Sequence, residues 1–141
     1  MAVTEKSSIL IFGASGDLTA RKLMPALYLL WKDGYLDEHS PILGAARREK
    51  SDDEFRREMF EAVSRHARTG PVSEEAWAQF RSRLFYRRLD LSDSDSYRQF
   101  RDAVEALENE VGGTSQRIVY MSVGASLFIP AVESLAEAGM M

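Results

Sequence analysis

The 141-residue sequence contains no cysteine, and this absence excludes disulfide bonds, thiolate metal sites and cysteine nucleophiles. No apolar run approaches the ~18 residues that a membrane-spanning helix needs, and residues 1–8 lack the apolar segment of a secretory signal. The net charge of −4 gives no indication of nucleic-acid binding. We therefore expect a cytoplasmic protein that binds neither a membrane nor nucleic acid, and we assign it no metal site.

Histidine, the most frequent general base of enzymes, occurs only twice, as His39 and His66. His39 falls in a predicted loop and His66 lies among charged residues. Neither has a carboxylate partner at a spacing typical of a catalytic pair. We therefore assign no catalytic residue in this chain.

Strand-like and helix-like patterns alternate along the whole sequence. Strand-like segments at 9–12, 41–46, 85–89 and 117–123 are separated by segments with apolar residues at helical spacing. This alternation predicts an α/β fold: one doubly wound, Rossmann-like parallel sheet with strand order 3-2-1-4 and right-handed crossovers. A ligand of such a fold binds at the carboxyl ends of the first, second and fourth strands.

The most informative stretch is the first strand with the glycine turn and helix that follow it. Residues 9–12 are apolar and β-branched or aromatic, which is typical of a parallel strand buried on both faces. Gly13 and Gly16 permit a tight turn before a helix in which Pro25 lies near the first position. This order directs backbone N–H groups and the positive end of a helix toward one point, and that point suits a phosphate.

The glycine spacing alone leaves a second interpretation open. The usual dinucleotide fingerprint has three small positions, G-x-G-x-x-G, whereas this chain has Gly13-x-x-Gly16 with Thr19 near the third. A plain strand-to-helix turn would also fit. The turn does not end in Gly-Lys-Ser/Thr, so the pattern does not indicate a triphosphate-binding P-loop.

Two arginines end the second predicted strand, at the position where an NAD-binding protein has an acidic residue for the ribose 2′-hydroxyl. The planar guanidinium groups of Arg47 and Arg48 suit a 2′-phosphate, because they bond phosphate oxygens in pairs and keep their charge. Alternatively, Arg47 and Arg48 are solvated charges in a loop without a ligand. Together with the glycine turn, the pair favours NADP over NAD as the cofactor.

Three motifs resemble the glucose-6-phosphate dehydrogenase family. Residues 13–18 read Gly-Ala-Ser-Gly-Asp-Leu and are followed by a basic pair and Leu23-x-Pro25, as in the amino-terminal segment of that family. Residues 44–47 fit its Gly-x-Ala-Arg motif. Residues 126–128 fit a later Ser-Leu-Phe motif, although Gly124 and Ala125 stand where the family has two prolines, which affects the loop expected beside the nicotinamide.

The resemblance implies hydride transfer from C1 of glucose 6-phosphate to NADP, giving the lactone, in the oxidative pentose phosphate pathway. The residues expected at the pyrophosphate and adjacent ribose are Gly13, Ser15, Gly16, Asp17 and Leu18. Arg47 and Arg48 would hold the 2′-phosphate, with the hydroxyl of Ser15. The family also implies that Lys22 lies near the sugar phosphate or the cofactor, while a solvated lysine at a helix end is equally compatible with the sequence.

Two family motifs are absent from residues 1–141: a Glu-Lys-Pro turn and the Asp-His pair whose histidine abstracts the sugar hydroxyl proton. We therefore expect this chain to be the dinucleotide-binding domain of such an enzyme, incomplete at its C-terminus and inactive alone. The α+β substrate-binding domain would be missing, and a homo-oligomer would form only with it. The sequence could also be a truncated form of the enzyme.

Other functions remain open at this point. One is a complete, small, non-catalytic NADP-binding protein. Another is a short-chain reductase, which requires a Tyr-x-x-x-Lys pair beside the fourth or fifth strand. Tyr28 and Lys32 have that spacing but fall on the first predicted helix, which argues against this alternative.

Overall fold

The computed structural model describes residues 6–14, 16–37, 39–66, 72–114 and 116–140. Its four strands form one parallel sheet in the order β3-β2-β1-β4, which confirms the predicted topology. The strands are β1 (Ser7–Phe12), β2 (Ile42–Ala46), β3 (Leu84–Arg88) and β4 (Gln116–Met121). The helices are α1 (Met24–Lys32), α2 (Asp52–His66), α3 (Glu74–Arg81), α4 (Ser94–Glu110) and α5 (Phe128–Glu137). Within these residues, no helix is both long and apolar enough to cross a membrane.

The central strand β1 is buried on both faces and separates two hydrophobic cores. Ile9 and Ile11 face the core that α1, α2 and α3 cover, whereas Leu10 and Phe12 face the core under α4 and α5. Alternate side chains of a strand point to opposite faces, so an uninterrupted apolar run fills both cores at once. The ring of Phe12 packs edge-on against that of Phe100 on α4, with 5.8 Å between centroids.

The first helical segment begins at residue 17 and is interrupted by a π-helical turn, Thr19–Leu23, before α1. The backbone N–H of Met24 bonds to the carbonyl of Thr19, five residues earlier. Pro25 then occupies the first turn of α1, as expected. A proline has no N–H and its ring crowds the preceding turn, and such crowding is relieved where the helix widens.

One carboxylate at the end of α4 joins β1 and β4 near the amino ends of these strands. Both oxygens of Glu108 accept hydrogen bonds from the Arg117 guanidinium, at 2.9 and 2.7 Å, and the Ser8 hydroxyl donates a third at 2.6 Å. Ser8 and Arg117 are register partners in β1 and β4. Burial raises the pKa of Glu108, but the bonds and charge of Arg117 and the hydroxyls of Ser8 and Thr114 outweigh it, so the pKa is lowered overall.

β4 is an edge strand of the sheet formed by the described residues, and it is less buried than its neighbours. Every side chain of β1 and β2 is buried, whereas β4 alternates between exposed and half-buried positions. Ile118 and Tyr120 are exposed on the α1 face of this strand, and Ile129 is 71% exposed on α5. The described residues therefore leave apolar surface exposed beside β4.

We predict that Glu108→Gln lowers the free energy of unfolding by about 1–2 kcal/mol at neutral pH, because an amide cannot accept both guanidinium bonds. Folding lowers the pKa of Glu108 from its ordinary value of 4.5. The carboxylate therefore stabilises the fold above that pH, and the stabilisation is lost as the pH falls through the lower folded-state pKa. Urea unfolding across this range measures the effect, with Glu110→Gln, an exposed glutamate of the same helix, as the control. If the difference in unfolding free energy between the wild type and Glu108→Gln did not change with pH, the stabilising role of the Glu108 carboxylate would be wrong.

Candidate functional site

The turn after β1 brings the carboxyl ends of three strands together. The backbone N–H groups of Gly13 and Ala14 both donate to the carbonyl of Ala45 on β2, at 2.9 and 3.1 Å. Gly13 has a φ of +83°, and a Cβ there would lie 2.3 Å from the carbonyl oxygen of Ser122, just after β4. Both the backbone conformation and the close approach therefore require glycine at position 13.

Gly16 closes the turn and leads into the helix. Its N–H donates to the carbonyl of Gly13 at 2.9 Å, and residue 17 begins the helical segment. A Cβ on Gly16 would have that same carbonyl oxygen, at 3.1 Å, as its single neighbour within 4 Å among the described residues. Ser15, between them, lies outside the described residues. The predicted strand, glycine turn and helix start are thus present in the predicted order.

Thr19 anchors the helix start to the glycine turn, a role that the sequence pattern did not suggest. Its side chain is fully buried, and its hydroxyl lies 3.2 Å from the carbonyl of Gly13 and 3.1 Å from the hydroxyl of Ser122. In the dinucleotide fingerprint, a small residue is expected near position 19. Threonine fits because its hydroxyl finds partners in the turn itself.

Arg47 and Arg48 follow β2 directly and line the same groove as the glycine turn. The groove has a volume of about 640 Å³ and is lined by Ala14, Gly16, Ala20, Arg47, Arg48, Lys50, Glu58 and Met59. This volume falls in the range of small-molecule sites. Both arginine side chains are exposed, and neither guanidinium forms a hydrogen bond or ion pair with another described residue. The groove therefore presents two guanidinium groups beside the turn that have no hydrogen-bond or ion-pair partner among the described residues.

Two other predicted residues, Leu18 and Lys22, lie on the opposite side of the helix start, whereas Asp17 lines a third groove with Ala20 and Glu58. Leu18, which is 58% exposed, and Lys22 line a smaller groove of about 320 Å³ with the end of β4. Asp17 is exposed and lies 3.5 Å from the Arg21 guanidinium. The structure thus divides the predicted site into a basic groove beside β2 and a mainly apolar groove beside β4, with Gly13 between them.

A hydrogen bond from β3 supports the backbone of the arginine pair. The hydroxyl of Tyr86 donates to the carbonyl of Arg48 at 2.5 Å. Burial raises the pKa of Tyr86 above 10, and the nearby charge of Glu58 raises it further. The phenol therefore stays protonated at neutral pH and remains a donor. No sequence motif indicates this contact, because it joins two different strands.

The residues that the sequence set aside as bases or reductase groups do not gather at this site. His39 is exposed in the loop before β2, at the amino ends of the strands, and His66 is half-buried at the end of α2. Tyr28 is buried in the core, with its ring 5.2 Å from that of Phe80. A reductase-type pair of Tyr28 and Lys32 is therefore excluded.

The family model for the glucose-6-phosphate dehydrogenase NAD-binding domain matches residues 10–141. The chain belongs to the glucose-6-phosphate dehydrogenase family. This membership confirms the resemblance on which the motif assignments were based, and it identifies an oxidoreductase family with a nucleotide-binding domain of this fold.

Members of the family match nearly the whole chain. The glucose-6-phosphate 1-dehydrogenase of Chlamydia pneumoniae is 40% identical over 127 residues, 90% of this chain and 25% of that protein. The enzyme of Leuconostoc mesenteroides is 32% identical over 137 residues, 96% of this chain and 27% of that protein. The chain thus spans about a quarter of the length of the curated relatives it matches.

Solved structures of family members share the fold. A glucose-6-phosphate dehydrogenase in complex with its substrate glucose-6-phosphate is 29% identical, with a TM-score of 0.81 over 98% of this chain and 29% of that one. The glucose-6-phosphate 1-dehydrogenase from Mycobacterium avium is 25% identical, with a TM-score of 0.80 over 97% of this chain and 28% of that one. The arrangement of strands and helices described above is therefore that of the family.

We predict that Gly16→Val abolishes NADP binding while the far-ultraviolet circular dichroism stays nearly unchanged. A valine side chain would project toward the groove that Gly16 lines, where a phosphate must approach the backbone closely. The fold should tolerate it, since the Gly13 carbonyl, 3.1 Å from a Cβ at position 16, would need to shift by only a few tenths of an ångström. Titration calorimetry measures the affinity, and Gly16→Ala should give a smaller loss. Unchanged affinity in the folded valine variant would leave the turn as a plain strand-to-helix connection.

Proposed function

We propose that this chain is the NADP-binding part of a glucose-6-phosphate dehydrogenase. The observation that carries the proposal is the basic groove: the glycine turn after β1 lines one cavity with Arg47 and Arg48, whose guanidinium groups have no ion-pair partner among the described residues. Anions bind where backbone N–H groups and a helix start converge, and arginine adds charge-assisted bonds to phosphate.

The glycine turn and helix start would hold the pyrophosphate and the adjacent ribose. The proposed residues are Gly13, Ser15, Gly16, Asp17 and Leu18. The absence of a side chain at Gly16 lets phosphate oxygens approach the N–H groups of the first helical turn, and Thr19 keeps the glycine turn in position through its two hydroxyl contacts. Ser15 stays in the proposal on the family resemblance alone.

Arg47 and Arg48 would hold the 2′-phosphate, and this contact would make NADP the preferred cofactor. Both arginines lie beyond the carboxyl end of β2, where the ribose of a dinucleotide sits in folds of this type. NADP held there would supply the nicotinamide as hydride acceptor. The chain itself would supply the binding and orientation of the cofactor.

The substrate that we propose for the enzyme is glucose 6-phosphate, oxidised at C1. The family and the solved relative with bound glucose-6-phosphate support this substrate. Lys22 lines the groove beside β4, on the side of Gly13 away from the arginines, which is compatible with a place near the sugar phosphate or the nicotinamide half of the cofactor.

We predict that Arg47→Ala weakens NADP binding by roughly ten- to a hundredfold, the equivalent of about 1.5–3 kcal/mol for one charge-assisted contact. Binding of NAD, which has no 2′-phosphate, should hardly change. Calorimetric titration of both cofactors measures the two affinities.

Arg57→Ala is the matched control for Arg47→Ala. Arg57 is an exposed arginine on α2 that lines a different groove, between α2 and α3, so its removal changes the net charge equally. It should leave the ratio of the two affinities unchanged. An equal loss of NAD and NADP binding in Arg47→Ala would show that Arg47 does not contact the 2′-phosphate.

We predict that the purified 141-residue chain forms no NADPH from glucose 6-phosphate. The reaction needs a base within hydrogen-bond reach of the C1 hydroxyl, and neither histidine lines the groove of the glycine turn or the groove beside β4. Absorbance at 340 nm in the presence of both substrates measures NADPH directly. Turnover by protein verified to be this length would show that the chain carries its own base.

A further inference from the structure

The basic groove contains an ion pair that the cofactor assignment does not use. The Nζ atom of Lys50 lies 2.5 Å from a carboxylate oxygen of Glu58, and both residues line the groove with the two arginines. The Lys50 side chain is only 4% exposed, whereas that of Glu58 is 47% exposed. A buried lysine thus faces an accessible carboxylate beside the proposed phosphate position.

Lys50 is held in place from two sides. Its Nζ atom lies 5.2 Å from the centre of the Tyr86 ring, within the range of a cation–π contact. The same tyrosine bonds to the carbonyl of Arg48. The lysine and the arginine loop therefore share one support, so little side-chain entropy remains to be lost when an anion binds.

Glu58 is the acidic member of the groove, since the other described residues that line it are apolar or basic. Arg47, Arg48 and Lys50 contribute three positive charges and Glu58 one negative charge, a sum of +2. A phosphate monoester carries about −1.5 to −2 at neutral pH. The lining charge therefore matches a 2′-phosphate as long as Lys50 offsets the glutamate.

We propose that Lys50 is a specificity-determining residue, which favours the 2′-phosphate by neutralising Glu58 at the wall of the groove. This inference rests on the proposed NADP site. Without the lysine, the carboxylate would repel the phosphate and the lining charge would fall to +1. A cofactor with a 2′-hydroxyl carries no charge at that position and would be almost indifferent to the change.

The charge count makes opposite predictions for the two residues. Lys50→Met, which keeps the length of the side chain, should lower the ratio of NADP to NAD affinity by about tenfold at low salt. Glu58→Gln, which keeps the shape and an acceptor for Lys50, should raise the ratio. The double variant restores a lining charge of +2, so its ratio should return close to that of the wild type.

Titration calorimetry with NADP and NAD tests these predictions, with circular dichroism and urea unfolding to show that each variant is folded. Lys50→Arg keeps the charge and should keep the ratio. Lys32→Met removes a lysine from the far end of α1 and is the control for net charge alone. High salt should reduce every difference, because ions screen these charges.

The outcomes separate this inference from the function on which it rests. If the wild type prefers NADP and Arg47→Ala removes the preference, but folded Lys50→Met keeps it, the role of Lys50 is wrong and the proposed site stands. A double variant whose ratio of NADP to NAD affinity is as low as that of Lys50→Met would also overturn the role of Lys50. Neutralisation of Glu58 would then not be the cause of the lost preference. If the wild type shows no preference for NADP, the proposed site and the inference fail together.

Discussion

The hydrogen bonds around the end of β1 determine the geometry of the sheet edge where we propose that the cofactor binds. Gly13 and Ala14 donate to Ala45 on one side, and Ser122 donates to the carbonyl of Phe12 on the other, at 2.9 Å. These bonds set how far apart β2 and β4 end, and therefore where the arginine pair and the second groove lie. The turn holds this position because only glycine avoids the carbonyl of Ser122 at position 13.

The electrostatics of the site are local and run against the charge of the whole chain. The protein carries a net charge of −4, yet the groove beside the glycine turn has more basic than acidic side chains. Phosphate recognition depends on the charges within a few ångströms, because salt screens more distant ones. The raised pKa of Tyr86 belongs to the same local arrangement, since it keeps the donor that supports Arg48.

Close packing behind the groove is as restrictive as the turn itself. A Cβ on Gly44 of β2 would lie 2.6 Å from the ring of Phe55 and 2.9 Å from the Cβ of Ala14. The small residues of β2 therefore let α2 approach the sheet, and α2 carries Glu58 and Met59 into the groove. The packing is looser around β4 and α5, where several apolar side chains are exposed.

Much of the fold followed from the sequence by itself. The apolar run of β1, the glycines after it and the alternation of strand and helix were enough to predict the sheet order, which the structure confirms. They also placed the arginine pair beyond β2. These features are local: each depends on residues within one strand, turn or helix. The family motifs are local too, and the comparisons confirm the family that they indicated.

Only the tertiary structure decided how the groove is built. Thr19 meets Ser122 across about a hundred residues, and Tyr86 reaches Arg48 from another strand. The pairing of Lys50 with Glu58 likewise joins a loop to a helix. The two residues are eight apart in the sequence, farther than the three or four residues that separate contacting side chains within a helix. No periodicity records such contacts, because they depend on how separate elements pack and not on the order of residues within one element.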